Sequence, residues 1–159
     1  MLEVFVSGVI EDQQYHYVVL LKEKHGDRTL PIWIGENEAM AIAYSLQGFK
    51  PPRPLTHDLL KLIIDAFQAK VTRIGIMELK NETYFAKIFI ECDSRVVALD
   101  ARPSDSIALA LRTGSTIFVN DEIMNENGIV FPGDKSVDEL KRRLRSTKPE
   151  DFGEFKFKK

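Results

Sequence analysis

The sequence holds a single cysteine in 159 residues. Cys92 alone excludes an intramolecular disulfide framework and any zinc or iron–sulfur site built from several cysteines. Long apolar runs are missing too, and none approaches the ~20 residues that a membrane-spanning helix needs. There is no excess of positive charge. The 22 Lys/Arg against 24 Asp/Glu give a net charge of -2 and a pI near 6.0. A basic footprint over the whole domain, common in nucleic-acid binders, is therefore excluded, whereas a local basic patch is not. The phosphate loop G-x-x-x-x-G-K-[ST], the dinucleotide fingerprint G-x-G-x-x-G, the nucleophile elbow G-x-S-x-G and the zinc motif H-E-x-x-H are all absent. The first residues, Met-Leu-Glu-Val-Phe-Val, lack a basic leader and a small-residue cleavage site, and they read as a strand. The expectation is a cytoplasmic protein without a membrane anchor.

What is present suits a globular chain. Apolar residues make up 44% and charged residues 29%. A chain of this length buries roughly 70% of its unfolded surface and needs no staples. Charge is uneven along it. Residues 1–132 carry 13 Lys/Arg and 18 Asp/Glu, a net -5, while residues 133–159 carry 9 and 6, a net +3. This predicts a domain over 1–132, followed over 133–159 by an amphipathic helix and a polar tail packed on it or extending from it.

Periodicity divides the body further. Leu2–Ile10, Tyr15–Lys22 and Thr29–Ile34 are rich in β-branched and aromatic residues and read as strands. Ala39, Ile42, Ala43 and Leu46 then fall at helical spacing, with Gly48 as the stop. The Pro51-Pro52-Arg53-Pro54 segment is stiff and extended. Thr56 reads as the N-cap of a second helix, with Leu59, Leu60, Ile63, Ile64 and Phe67 as its apolar face. Strands follow over Val71–Leu79, Thr83–Glu91 and Val96–Leu99. Ser104 reads as the cap of a third helix that Gly114 ends. Thr116–Val119 is a short strand, and Val137, Leu140 and Leu144 mark a fourth helix. That order predicts an α+β (mixed α/β) fold with a mixed, largely antiparallel sheet and about four helices.

Three helix starts hold the unusual polar residues. In the first, Glu36 and Glu38 follow Gly35. They either complement the helix dipole or place a carboxylate in a cleft as metal ligand or base. In the second, Arg53 stands between prolines, a stiff mount for a guanidinium suited to phosphate. His57 sits where the helix field disfavours its charged form, so it reads either as an exposed surface histidine or as a neutral base or ligand. Asp58 follows in the first turn. In the third, Asp100 ends a strand, Arg102 is held extended by Pro103, and Ser104 and Asp105 open the helix. One reading is an Asp–Arg ion pair that pins this corner. The other uses carboxylates to hold a divalent cation and Arg102 to hold phosphate, the combination that metal-assisted phosphodiester hydrolysis needs. Cys92 has no histidine near it in sequence and reads as a buried structural thiol rather than a nucleophile.

These segments together resemble those of the bifunctional nuclease family. The stretches are Leu30-Pro31-Ile32-Trp33-Ile34-Gly35-Glu36 with Glu38-Ala39, then Pro52-Arg53-Pro54-Leu55-Thr56-His57-Asp58, then Asp100 through Ala110. The resemblance covers roughly residues 1–132. It implies degradation of both DNA and RNA, and a homo-oligomer, a dimer or higher. Our assignment of roles within it makes His57, Asp58, Asp100 and Asp105 the candidate catalytic residues. Arg53, Arg102 and Ser104 are the candidate phosphate contacts. Asp100, Asp105, Glu36 and Glu38 are the candidate ligands of Mg or Mn. The alternative is a non-enzymatic ligand-binding or regulatory module, in which the same acids only cap helices and pair with arginines.

Overall fold

Two turns set the long hairpins of the molecule. Asn81 and Glu82 have φ of 48° and 61°, and Asp93 and Ser94 have 49° and 62°. Paired positive φ values match the twist of the flanking strands, so each turn joins its strands directly. The computed structural model describes residues 1–11 and 15–130. Along the chain these form β1 (Leu2–Glu11), β2 (Tyr17–Glu23), β3 (Arg28–Ile34), α1 (Glu36–Leu46), α2 (Thr56–Ala66), β4 (Lys70–Lys80), β5 (Thr83–Cys92), β6 (Arg95–Ala101), α3 (Pro103–Thr113), β7 (Thr116–Val119), α4 (Asp121–Asn127) and β8 (Ile129–Val130). The fold is α+β, as expected.

The eight strands make one sheet in the order β6-β5-β4-β7-β1-β2-β3-β8. Every neighbouring pair is antiparallel except β4–β7. That parallel pair requires a crossover, and α3 supplies it by running back from the outermost strand, β6, to β7. Because α3 crosses the sheet between α1 and α2, it is the most enclosed helix. Ser104, Ser106, Ile107, Ala108, Leu109 and Ala110 are all buried. Small residues on α3 and on α1, where Ala39 and Ala41 are buried, let the helices approach closely. The core beneath them gathers Val19, Leu21, Ile32, Ile42, Ile74, Ile76, Ile107 and Val119.

Several local expectations change. Pro103 occupies the first position of α3 with Arg102 as N-cap, and Ser104 lies buried one residue inside, without a capping bond. Thr56 is the first helical residue rather than the cap. The acceptor at that end is Asp58, whose Oδ2 takes the Leu55 N–H at 2.9 Å. The expected apolar face of α2 is inverted. Only Ile64 packs on the core, while Leu59, Leu60, Ile63 and Phe67 are exposed. The reason is that α2 turns its His57 and Asp58 side toward α3. Helix α4 was not foreseen. Asn120 caps it by accepting the Glu122 N–H at 3.2 Å. The amphipathic segment marked by Val137, Leu140 and Leu144 lies outside the described residues. No helix among the described residues is long and apolar enough to cross a membrane.

Candidate active site

The first turns of α1, α2 and α3 meet. Glu38 comes from α1, His57 and Asp58 from α2, and Arg102 and Asp105 from the start of α3. Each helix start carries partial positive charge, so acids collect there naturally. Their specific pairing comes from Arg102. Its Nε donates to Asp105 Oδ2 at 2.7 Å. Its Nη2 donates to Asp105 Oδ1 at 3.1 Å and to Glu38 Oε1 at 2.7 Å. One guanidinium thus clamps carboxylates from two helices, and it remains 58% exposed. On the inner side His57 Nε2 lies 3.0 Å from Asp105 Oδ1. His57 is only 8% exposed, so its reading as a surface histidine is corrected. A continuous chain of hydrogen bonds runs from the buried imidazole through Asp105 to the exposed Arg102 and on to Glu38.

A second ion pair anchors α2. Arg112 Nε donates to Asp58 Oδ1 at 2.6 Å, and its Nη1 donates to the carbonyls of Ala41 at 3.1 Å and Ala108 at 2.9 Å. Arg112 therefore ties all three helices together. The sequence reading missed it, because a basic residue in a last helical turn passes for dipole complementation. The available signal was spacing. Asp105, Ala108 and Arg112 stand at i, i+3 and i+7, one face of α3.

The other candidates lie elsewhere. Glu36 is exposed in the first turn of α1, and Arg53 is exposed before α2. Asp100 is exposed on β6, opposite Lys87 of β5. The expected ion pair at this corner thus joins Arg102 to Asp105 and Glu38, while Asp100 stands apart on the strand. Ser104 is buried. Cys92 is half-buried, with its thiol toward the Phe67 carbonyl at 3.8 Å.

Electrostatics follow this geometry. Burial pushes the Asp58 and Asp105 carboxyls up. The hydrogen bonds from Arg112 and the Leu55 N–H on Asp58, and from Arg102 and His57 on Asp105, outweigh it and hold both below the ordinary 3.8. Glu23 is likewise held down, chiefly by its hydrogen bond from Arg28. The unfolded chain therefore binds more protons than the folded one as the medium becomes acid. The stabilisation is complete above the ordinary carboxyl values and is lost as pH falls through the lower folded values. Melting temperature should be flat down to about pH 5 and fall steeply below about pH 4. Asp58→Asn should flatten that acid limb in a thermal scan series, at the cost of a lower plateau. An unchanged slope would contradict the pairing.

A family model for the bifunctional nuclease domain matches residues 19–132. This chain belongs to the bifunctional nuclease domain family. All the residues of the helix-start cluster fall inside the matched span. An uncharacterised protein of Mycobacterium tuberculosis is 42% identical over 156 residues, which cover 98% of this chain and 93% of that protein. Bifunctional nuclease 1 of Oryza sativa subsp. japonica is 27% identical over 124 residues, 76% of this chain and 38% of the rice protein. Bifunctional nuclease 1 of Arabidopsis thaliana is 27% identical over 127 residues, 77% of this chain and 39% of its own length. The chain thus spans well under half of the plant nucleases it matches.

Proposed function

We propose that the chain is a nuclease that hydrolyses phosphodiester bonds of DNA and RNA, with the Glu38–Arg102–Asp105–His57 cluster as its reaction centre. The observation that carries this reading is the hydrogen-bonded chain from His57 to Arg102 at the meeting of three helix starts, inside the matched span of the family. Hydrolysis of a phosphodiester asks for three things: a proton removed from water, extra charge stabilised on the phosphoryl oxygens, and a proton delivered to the leaving oxygen. Arg102 faces solvent with a planar cation that suits phosphate. The helix starts add oriented N–H dipoles. His57 and Asp105 form the acid–base couple beside them. Arg53 supplies a second cation to the incoming strand. Asp58 and Arg112 are positioning residues, because they hold α2 and with it His57.

The expected Mg or Mn cofactor meets a poor donor set in this arrangement. Among the described residues no group of three or more His, Cys, Asp or Glu side chains could hold a metal ion. Glu38 and Asp105 are both engaged by Arg102, and Asp100 and Glu36 stand apart from them. The steps above are assigned to side chains, and metal dependence is an arm of the test. A net charge of -2 also predicts weak nucleic-acid affinity that falls as salt rises.

One observation favours the second reading, a non-enzymatic ligand-binding module. Both oxygens of Asp58 are taken, one by Arg112 and one by the Leu55 N–H. An assay of wild type and Asp105→Asn in parallel, on DNA and on RNA, separates the two. Mg, Mn and EDTA arms report on the cofactor, and matched melting temperatures exclude unfolding. The nuclease reading expects wild-type cleavage that falls about 100-fold or more in the variant. No cleavage by wild type in any arm would turn the assignment to the module.

A further inference from the structure

We propose that the outward face of α2 and the free edge of β6 form an interface between two copies of this chain. The starting observation is the inverted helix. An isolated surface helix turns its apolar stripe inward. Here the inward side of α2 carries His57, Asp58 and Ile64, and the outward side carries Leu59, Leu60, Ile63 and Phe67. Phe67, which ends the helix, is 74% exposed. At 100° per residue these four side chains share one broad stripe. Such a stripe exposed to water signals a surface that another body covers.

The neighbouring strand supplies the second observation. Strand β6 is seven residues long and lies at one end of the sheet, so one of its backbone edges is unpaired among the described residues. Natural edge strands are protected by brevity, bulges, proline or central charge. Strand β6 has none of these. Its charges, Arg95 and Asp100, stand near its ends, and Val96-Val97-Ala98-Leu99 between them is uncharged and exposed. The two features adjoin, because the thiol of Cys92, the last residue of β5, reaches the carbonyl of Phe67.

A second copy fits both features at once. A two-fold axis normal to the sheet at Ala98 would pair β6 antiparallel with its own copy. Val97 would then stand opposite Leu99 of the second copy, and both would lie on the same face. That face is the helix-covered one, since Val97 pairs with Ile90 and Leu99 with the core residue Ile88. The two α2 stripes would close over this apolar seam. An isologous contact of this kind is how most homodimers form. Half-exposed side chains of this size present on the order of 100 Å² each, so α2 and β6 together offer roughly 600–800 Å², near the area each partner gives to a standard interface. Cover by residues 131–159 is the competing occupant. The described chain ends at β8, seven strand spacings from β6, or roughly 34 Å across the sheet. The second copy brings a β6 edge and an apolar α2 stripe of its own, matched to this one by the two-fold axis. This inference is independent of the nuclease reading, because none of its contacts uses the helix-start cluster.

The test measures the mass of the full chain by sedimentation equilibrium, for wild type, Ile63→Glu and Val97→Lys. The expected result is a wild-type dimer, twice the 18.1 kDa of one chain. Each substitution should raise its dissociation constant about 30-fold or more. Both sites are exposed in the single chain, so circular dichroism and melting at concentrations below dissociation should match those of wild-type monomer. A dimer that persists unchanged in both variants would place the interface elsewhere and overturn the proposal. A wild-type monomer whose α2 amides resist hydrogen exchange would assign the face to residues 131–159 and overturn it too. A wild-type monomer with unprotected α2 amides would do the same, with no occupant at all.

Discussion

Replacing His57 by glutamine should abolish most of the nuclease activity, by about 100-fold to 10,000-fold, with little change in stability. Glutamine keeps a donor nitrogen near the Asp105 carboxylate, so the 3.0 Å contact has a substitute. What it loses is the ability to take and give a proton. A purely structural histidine would show the opposite pattern, a lowered melting temperature and normal turnover. The same assay should show strong non-additivity with Asp105→Asn. Residues that act as one unit fail together, so the double variant should be hardly slower than either single one. Independent, multiplicative losses would mean that His57 and Asp105 serve separate steps, and the couple proposed above would fail. Retained activity in His57→Gln would move the proton chemistry away from α2 altogether.

The sequence carried the fold class because period and turn chemistry are local. Asn81-Glu82, Asp93-Ser94 and Gly114 stand where the chain must adopt positive φ, and all three were readable as punctuation. The three polar helix starts were equally readable, and three elements do bring Glu38, His57, Asp58, Arg102 and Asp105 together. Which residues within each start face the cluster was not readable. Glu36 and Glu38 differ by two positions, hence by about 200° around the helix, and only packing against α3 selects Glu38. Asp100 looked equivalent to Asp105 in sequence, but it belongs to an edge strand and not to a helix turn. The face of α2 misled for a related reason. Periodicity identifies an apolar stripe without saying what covers it. An inward face held by ionic contacts leaves the stripe outside.

Replacing Arg112 by methionine should produce the largest loss of stability among single substitutions in the site. Its side chain is 8% exposed, and it satisfies acceptors on three helices at once: Asp58, the Ala41 carbonyl and the Ala108 carbonyl. Methionine fills much of the same volume but donates nothing. Asp58 would remain at the helix start as a carboxylate without its cation, and the Ala41 carbonyl would lose a donor. Breaking a buried pair from one side costs about 3–5 kcal/mol. Asp58 keeps partial contact with water, which places the expected cost near about 3 kcal/mol, or roughly 6–12 °C in melting temperature for a chain of this size. The double variant Arg112→Met with Asp58→Leu removes both charges and should recover a large part of that loss, because it leaves no stranded carboxylate. Activity should not recover with it. Without the guanidinium the His57–Asp105 contact is left to hold α2 against α3, and it loosens. A thermal scan and a turnover assay on the two variants check both halves. A single variant that melts within 1 °C of wild type would show that the helix starts are held together by other contacts, and that Arg112 is not what positions His57.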